Sequence, residues 1–126
     1  MKKTTLSLGA IFSAFAVGIG AFGAHSLKPL LEATQRTETF ETAVKYHFYH
    51  ALGLLFIGIL MLHFTSKLLN VAAYLMIAGI LIFSGSLYLL CLTNIGILGA
   101  ITPIGGLCFI TAWLVIVRAV LKQPHL

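Results

Sequence analysis

LSLGAIFSAFAVGIGAFGA, residues 6–24, runs for 19 positions without one charged side chain. At 1.5 Å of rise per residue, a helix of that length reaches about 28 Å, close to the ~30 Å hydrocarbon thickness of a bilayer. Three apolar runs of similar length follow, at about residues 43–65, 68–92 and 96–117. Each predicts one membrane crossing. Helices are the natural form, because the bilayer interior offers no partner to open backbone groups. The ~10-residue alternating segments of a membrane β-barrel are absent. The expected fold is therefore all-α: one domain, residues 1–126, built as an integral membrane bundle of four antiparallel transmembrane helices.

Composition agrees with that reading. Of 126 residues, 60% are hydrophobic before the 12 glycines are counted, and only 9% are charged. Soluble domains average about 45–50% apolar with glycine included, and about 25% charged. Mean hydropathy is +1.05. A soluble chain this short leaves too much of its surface in water to hide such a sequence. This excludes a soluble enzyme and a disordered tail. The net charge of +5 does not indicate nucleic acid. The basic residues form no stripe with interleaved aromatics; they punctuate the apolar runs, as flanking charges do in membrane proteins.

The connections are unequal. Ser66-Lys67 is a tight turn, and Thr93-Asn94-Ile95-Gly96 is another, made of turn-forming residues. The long link, residues 25–42, holds all three acidic residues, Glu32, Glu38 and Glu41. Pro29 interrupts its start. Thr37 or Thr39 is placed to cap a helix entering the second span, with Glu38 and Glu41 in its first turn. Glu41 and Lys45 are spaced as a helical ion pair.

Orientation follows from the Lys and Arg count. Lys2, Lys3, Lys67, Arg118 and Lys122 share one side; Lys28, Arg36 and Lys45 share the other. The excess places both termini in the cytoplasm of a multi-pass protein of the cell membrane. Lys2-Lys3, the first apolar run and Ala21-Phe22-Gly23 also resemble a cleavable secretory signal. Retention is the better reading, because the run is long for a signal core. It also carries small residues at four-residue spacing: Ala10, Ala14 and Gly18, then Ala16, Gly20 and Ala24. Such stripes let helices pack closely in lipid.

The same topology gathers the polar residues at one depth. His25 stands at the outer mouth of the first span, and His50 lies about 10 Å below the outer end of the second, with His47 between. Ser84 and Tyr88 lie about 12 and 6 Å below the outer end of the third span, and Thr102-Pro103 about 9 Å down the fourth. Polar groups inside a membrane are costly, so a shared level is informative. The candidate site is thus His25, His47, His50, Ser84, Tyr88 and Thr102, with Glu41 at its rim. It either locks the fold or binds a small ligand or a partner helix.

Two other readings compete. His47 and His50, three apart, face one side of a helix and with His25 suit a metal ion. His50 is also deep enough to be a haem ligand, but no opposing ligand is obvious. An oligomeric channel or transporter subunit is the third reading, since four spans alone enclose little volume. Catalysis is not expected: a serine nucleophile needs an adjacent oriented base, and no carboxylate lies near Ser84 and His50. Pro103 should break or kink the fourth span. Cys91 and Cys108 differ in depth by more than ~10 Å, too far for a disulfide.

The ordered set Phe22-Gly23-Ala24-His25, Phe40-Glu41-Thr42-Ala43, Tyr46-His47, His50-Ala51-Leu52, residues 83–88 and residues 102–106 resembles the transmembrane protein 256 family. Its bacterial members are four-span membrane proteins catalogued as a domain of unknown function. The resemblance covers nearly the whole chain. It implies four helices, a retained first span and a membrane location, and it carries over no catalytic residue, substrate or cofactor. That family often has Gln where this chain has His47, which leaves His25 and His50 as the better metal candidates. The expected partners are the lipid bilayer and further membrane helices, the chain's own copies included.

Overall fold

The structure is a computed structural model, and it describes residues 1–125. Its helices are α1 (Lys2–Ala24), α2 (Lys28–Ala33), α3 (Thr37–His63), α4 (Lys67–Gly79), α5 (Gly85–Thr93) and α6 (Thr102–Leu121). A π-helical turn, Ile80–Ser84, joins α4 to α5, and a 3₁₀ segment, Gly96–Ala100, leads into α6. Four helical rods are long and apolar enough to cross a membrane: Lys2–Ala24, Thr37–His63, Lys67–Thr93 and Gly96–Leu121. They form the antiparallel all-α bundle that the apolar runs predict.

Both tight turns form where the sequence places them. Ser66 caps α4, its hydroxyl accepting a 3.2 Å hydrogen bond from the Leu68 amide. Asn94 ends α5 in the left-handed conformation, φ 56°, which Asn tolerates better than most side chains. Gln35 also has a left-handed φ, 55°, at the corner before α3.

Other local expectations are revised. Thr37 is the first residue of α3, not its cap; the capping position is Arg36, with no side-chain hydrogen bond. Glu38 lies in the first turn and Glu41 does not. Glu41 and Lys45 form no ion pair; among the described residues the pair that closes is Lys28–Glu32, at 4.0 Å. Pro103 does not kink a continuous helix. It sits in the first turn of α6, where its missing N–H and fixed φ suit a helix start. Pro29 does the same for α2.

Helix packing here runs on close contact between backbones, because lipid tails are as apolar as leucine. α1 lies along α3. A Cβ on Gly9 would stand 2.8 Å from the Leu55 amide nitrogen, and one on Gly58 would stand 2.7 Å from the Leu6 side chain. Of the two small-residue stripes, only the Ala16–Gly20 part faces α3: Ala16 is buried and Gly20 lies against Val44. Ala10, Ala14 and Gly18 face outward, and a Cβ on Gly18 would meet nothing. Ala24 is exposed as well.

The main core joins Leu54, Ile57 and Met61 of α3 to Leu69, Ala72 and Met76 of α4 and to Phe109, Ala112 and Ile116 of α6. A smaller cluster of Leu31, Phe40 and Cys91 fixes α2 over the end of the bundle. α2 lies beyond the apolar stretches, so burying Leu31 removes it from water, a gain of about 1.5–3 kcal/mol.

Candidate functional site

The polar candidates are spread over several separate contacts. α3 delivers His47 and His50, one turn apart and both buried. His47 Nδ1 shares a 2.8 Å hydrogen bond with the Tyr88 hydroxyl of α5. Phe12 of α1 stands edge-on to the same imidazole, centroids 6.1 Å apart. The other ring nitrogen, Nε2, is buried with no hydrogen-bond partner.

His50 turns elsewhere. Its Nδ1 lies 2.6 Å from the Tyr46 carbonyl one turn back. A carbonyl only accepts, so Nδ1 carries the proton. The ring stacks on Phe109 of α6, centroids 3.5 Å apart and planes 12° apart, with Trp113 at 6.0 Å. His50 therefore belongs to an aromatic group with Tyr46, Phe83 and Phe109.

The hydroxyls bind helix to helix. Ser84, fully buried, donates to the Ala43 carbonyl of α3 at 2.7 Å. Ser86 and Thr102 share a 2.7 Å hydrogen bond between α5 and α6. Ser86 also lies 2.9 Å from the Phe83 carbonyl, within the π-helical turn. A π-turn disrupts the regular i→i−4 ladder, and Ser86 supplies that carbonyl with a partner. Near Phe83 the π-helical turn and α6 touch backbone to backbone, since a Cβ on Gly105 would overlap the Phe83 backbone nitrogen.

The remaining candidates stay at the periphery. His25 ends α1 and is exposed, as is Glu41. Among the described residues, no group of three His, Cys, Asp or Glu side chains is placed to hold a metal ion. Of the three metal candidates, His47 points to α5, His50 to α6, and His25 to the surface. Cys91 and Cys108 are both free.

Several participants were not singled out by sequence. Phe109 and Trp113, four apart, match Tyr46 and His50, four apart, so two aromatic stripes were available to be paired. Arg36 Nε donates to Asn94 Oδ1 at 3.1 Å and fastens the link to the α5–α6 corner. No spacing signals that pair, because 58 residues separate its members.

The comparisons with known proteins agree with this architecture. The pattern of a protein family of unknown function, DUF423, matches residues 19–106. The UPF0382 membrane protein YwdK of Bacillus subtilis (strain 168) is 47% identical over 125 residues, which covers 95% of this chain and 98% of that one. A UPF0382 membrane protein of Staphylococcus epidermidis is 51% identical over 120 residues, covering 95% and 97%. Another, SH2409 of Staphylococcus haemolyticus, is 48% identical over 120 residues, with the same coverage. No solved structure matches. The four-span resemblance read from the motifs thus has its counterpart in membrane proteins similar along almost their whole length, and the chain belongs to the DUF423 family of unknown function.

Proposed function

We propose that the chain is a non-catalytic, multi-pass protein of the cell membrane with both termini in the cytoplasm, whose buried polar side chains clasp the second, third and fourth spans together. The observation that carries this reading is where those side chains are used. Ser84 reaches Ala43, His47 reaches Tyr88, and Ser86 reaches Thr102, so each bond crosses from one span to another. Such bonds contribute about 0.6–2 kcal/mol apiece in membrane proteins. Ser84 donates its proton to a carbonyl, an arrangement that supports a clasp and offers a nucleophile no base.

The clasp is tested by heating the detergent-purified protein. Ser84→Ala with Ser86→Ala is expected to lower the unfolding midpoint while leaving helix content at low temperature unchanged. An unshifted midpoint would overturn the locking role.

The cytoplasmic termini rest on the five Lys and Arg residues at the termini end against three at the link end. In a chain carrying Cys91→Ser and Cys108→Ser, Glu38→Cys should react with an impermeant maleimide on intact cells. Lys67→Cys should react only after the membrane is opened. The reverse pattern would invert the topology.

A further inference from the structure

A cleft of about 280 Å³ opens between α1, α2 and α3, clear of the buried clasp. Its walls include Gly20 and Gly23 of α1, Leu31 of α2, and Phe40 of α3, so its interior is apolar. Glu41 and Lys45 of α3 also line it, both exposed. The volume falls just under the ~300 Å³ at which sites for whole small molecules begin. A volume of that size suits part of an acyl chain, with a polar head at the rim.

The depth of that rim follows from α3. Its 27 residues make a rod about 40 Å long, and the hydrocarbon core is ~30 Å thick. The surplus falls at the link end, where α3 begins with polar and charged residues, and it carries Glu41 into the headgroup layer. Lys45, one turn deeper, reaches the same layer by extending its stem. The two charges sit four residues apart, about 6 Å along the axis. They form no ion pair with each other, while Lys28 and Glu32, at the same spacing, do. A carboxylate and an ammonium left open beside an apolar cleft complement a head that bears one charge of each sign.

We infer that this cleft binds a zwitterionic aminophospholipid. One acyl chain lies over Gly20 and Gly23, the lipid phosphate meets Lys45, and the lipid ammonium meets Glu41. The glycines let the walls close. A Cβ on Gly23 would overlap the Phe40 ring, and one on Gly20 would stand 3.3 Å from Val44, so both keep these two cleft-lining side chains seated against α1. The inference goes beyond the locking role and needs from it only that the link end lies at a membrane surface.

The experiment uses the full chain, delipidated in detergent and titrated with phosphatidylethanolamine or phosphatidylglycerol of identical chains, with bound lipid read by native mass spectrometry. The ethanolamine lipid should be retained at least fivefold better. Glu41→Gln should remove that preference, because Lys45 alone favours the anionic lipid. Lys45→Gln should weaken retention of both lipids, and Gly20→Leu should reduce it by filling the cleft. Soluble glycerophosphoethanolamine in excess should not compete, since the chain supplies part of the binding.

Equal retention of the two lipids, or a preference untouched by Glu41→Gln, overturns the inference. Competition by the soluble head overturns the role of the acyl chain and assigns the site to a free phosphoamine instead. Glu41→Gln and Lys45→Gln alter exposed side chains, so they remain decisive even where Gly20→Leu fails to fold. The midpoint shift of the Ser84 and Ser86 variants is read without either lipid, so the two ideas fail separately.

Discussion

Replacing Gly105 with valine is expected to destroy the folded bundle. Its new Cβ would fall on the backbone nitrogen of Phe83, and Phe83 Cα would stand only 2.7 Å away. A side chain in the way can rotate, but a backbone held inside a helical rod cannot. The π-helical turn on one side and the start of α6 on the other would have to separate. That parting would also pull Ser86 from Thr102, because their 2.7 Å bond bridges the same two elements. Overpacking of well-filled interiors costs typically 1–3 kcal/mol, and forced separation of two backbones puts this substitution at the upper end, about 3 kcal/mol or more. Size-exclusion profile and thermal midpoint in detergent are the measurements. Gly18→Val is the control: its Cβ meets open space, so its stability should stay within about 0.5 kcal/mol of the parent. A Gly105→Val protein that elutes and melts like the Gly18→Val control would show that the close approach of α6 to the π-turn is wrong.

Tyr88→Phe should produce the second large effect, out of proportion to the loss of one oxygen. His47 is 97% buried and its Nε2 already lacks a partner. Its Nδ1 depends on the Tyr88 hydroxyl at 2.8 Å. Removing that hydroxyl leaves a buried Nδ1 unsatisfied, a penalty of about 1–3 kcal/mol. Taking away both polar partners should be far milder, since two apolar side chains leave nothing to satisfy. A double-mutant cycle with His47→Leu and Tyr88→Phe reads the difference. The pair of substitutions should destabilise by clearly less than the sum of the two single ones, with a coupling of at least about 0.5 kcal/mol. Strict additivity would mean that the two side chains do not depend on each other.

The spans were legible because lipid imposes a length and permits one regular form. The apolar runs at 6–24, 43–65, 68–92 and 96–117 map onto the four rods with their ends displaced by a few residues. Position along each rod follows from the rise per residue. Two separate bonds join α3 to the third span, His47 to Tyr88 and Ser84 to the Ala43 carbonyl. What depth does not carry is azimuth. His25, Glu41, His47 and His50 fall near one end of the bundle, yet they point to the surface, to α5 and to α6.

The small-residue stripes show the same gap. Ala10, Ala14 and Gly18 have the same spacing as Ala16 and Gly20, and nothing in α1 itself tells which side α3 will cover. That depends on the large residues opposite, Leu55 and Val44, which belong to another helix. The π-helical turn over ILIFS had no local mark either. Its residues are ordinary for a membrane helix, and only the closeness of Gly105 and the hydroxyls of Ser84 and Ser86 accompany it. Pro103 was legible as a break: the fourth rod changes from 3₁₀ to α at Ile101, and Pro103 sits in the first turn of α6, where its missing donor has no intrahelical role.

The sparse embedding of α1 bears on how the protein is made. Only 11% of its apolar stretch is buried, against 44% for the second and third rods, and its main partner is α3. α1 is synthesised before the helix that seats it, since Gly58, which Leu6 packs against, lies in α3. During translation it must wait in the bilayer as a solitary hydrophobic rod, which its uncharged run from residue 6 to 24 equips it to do.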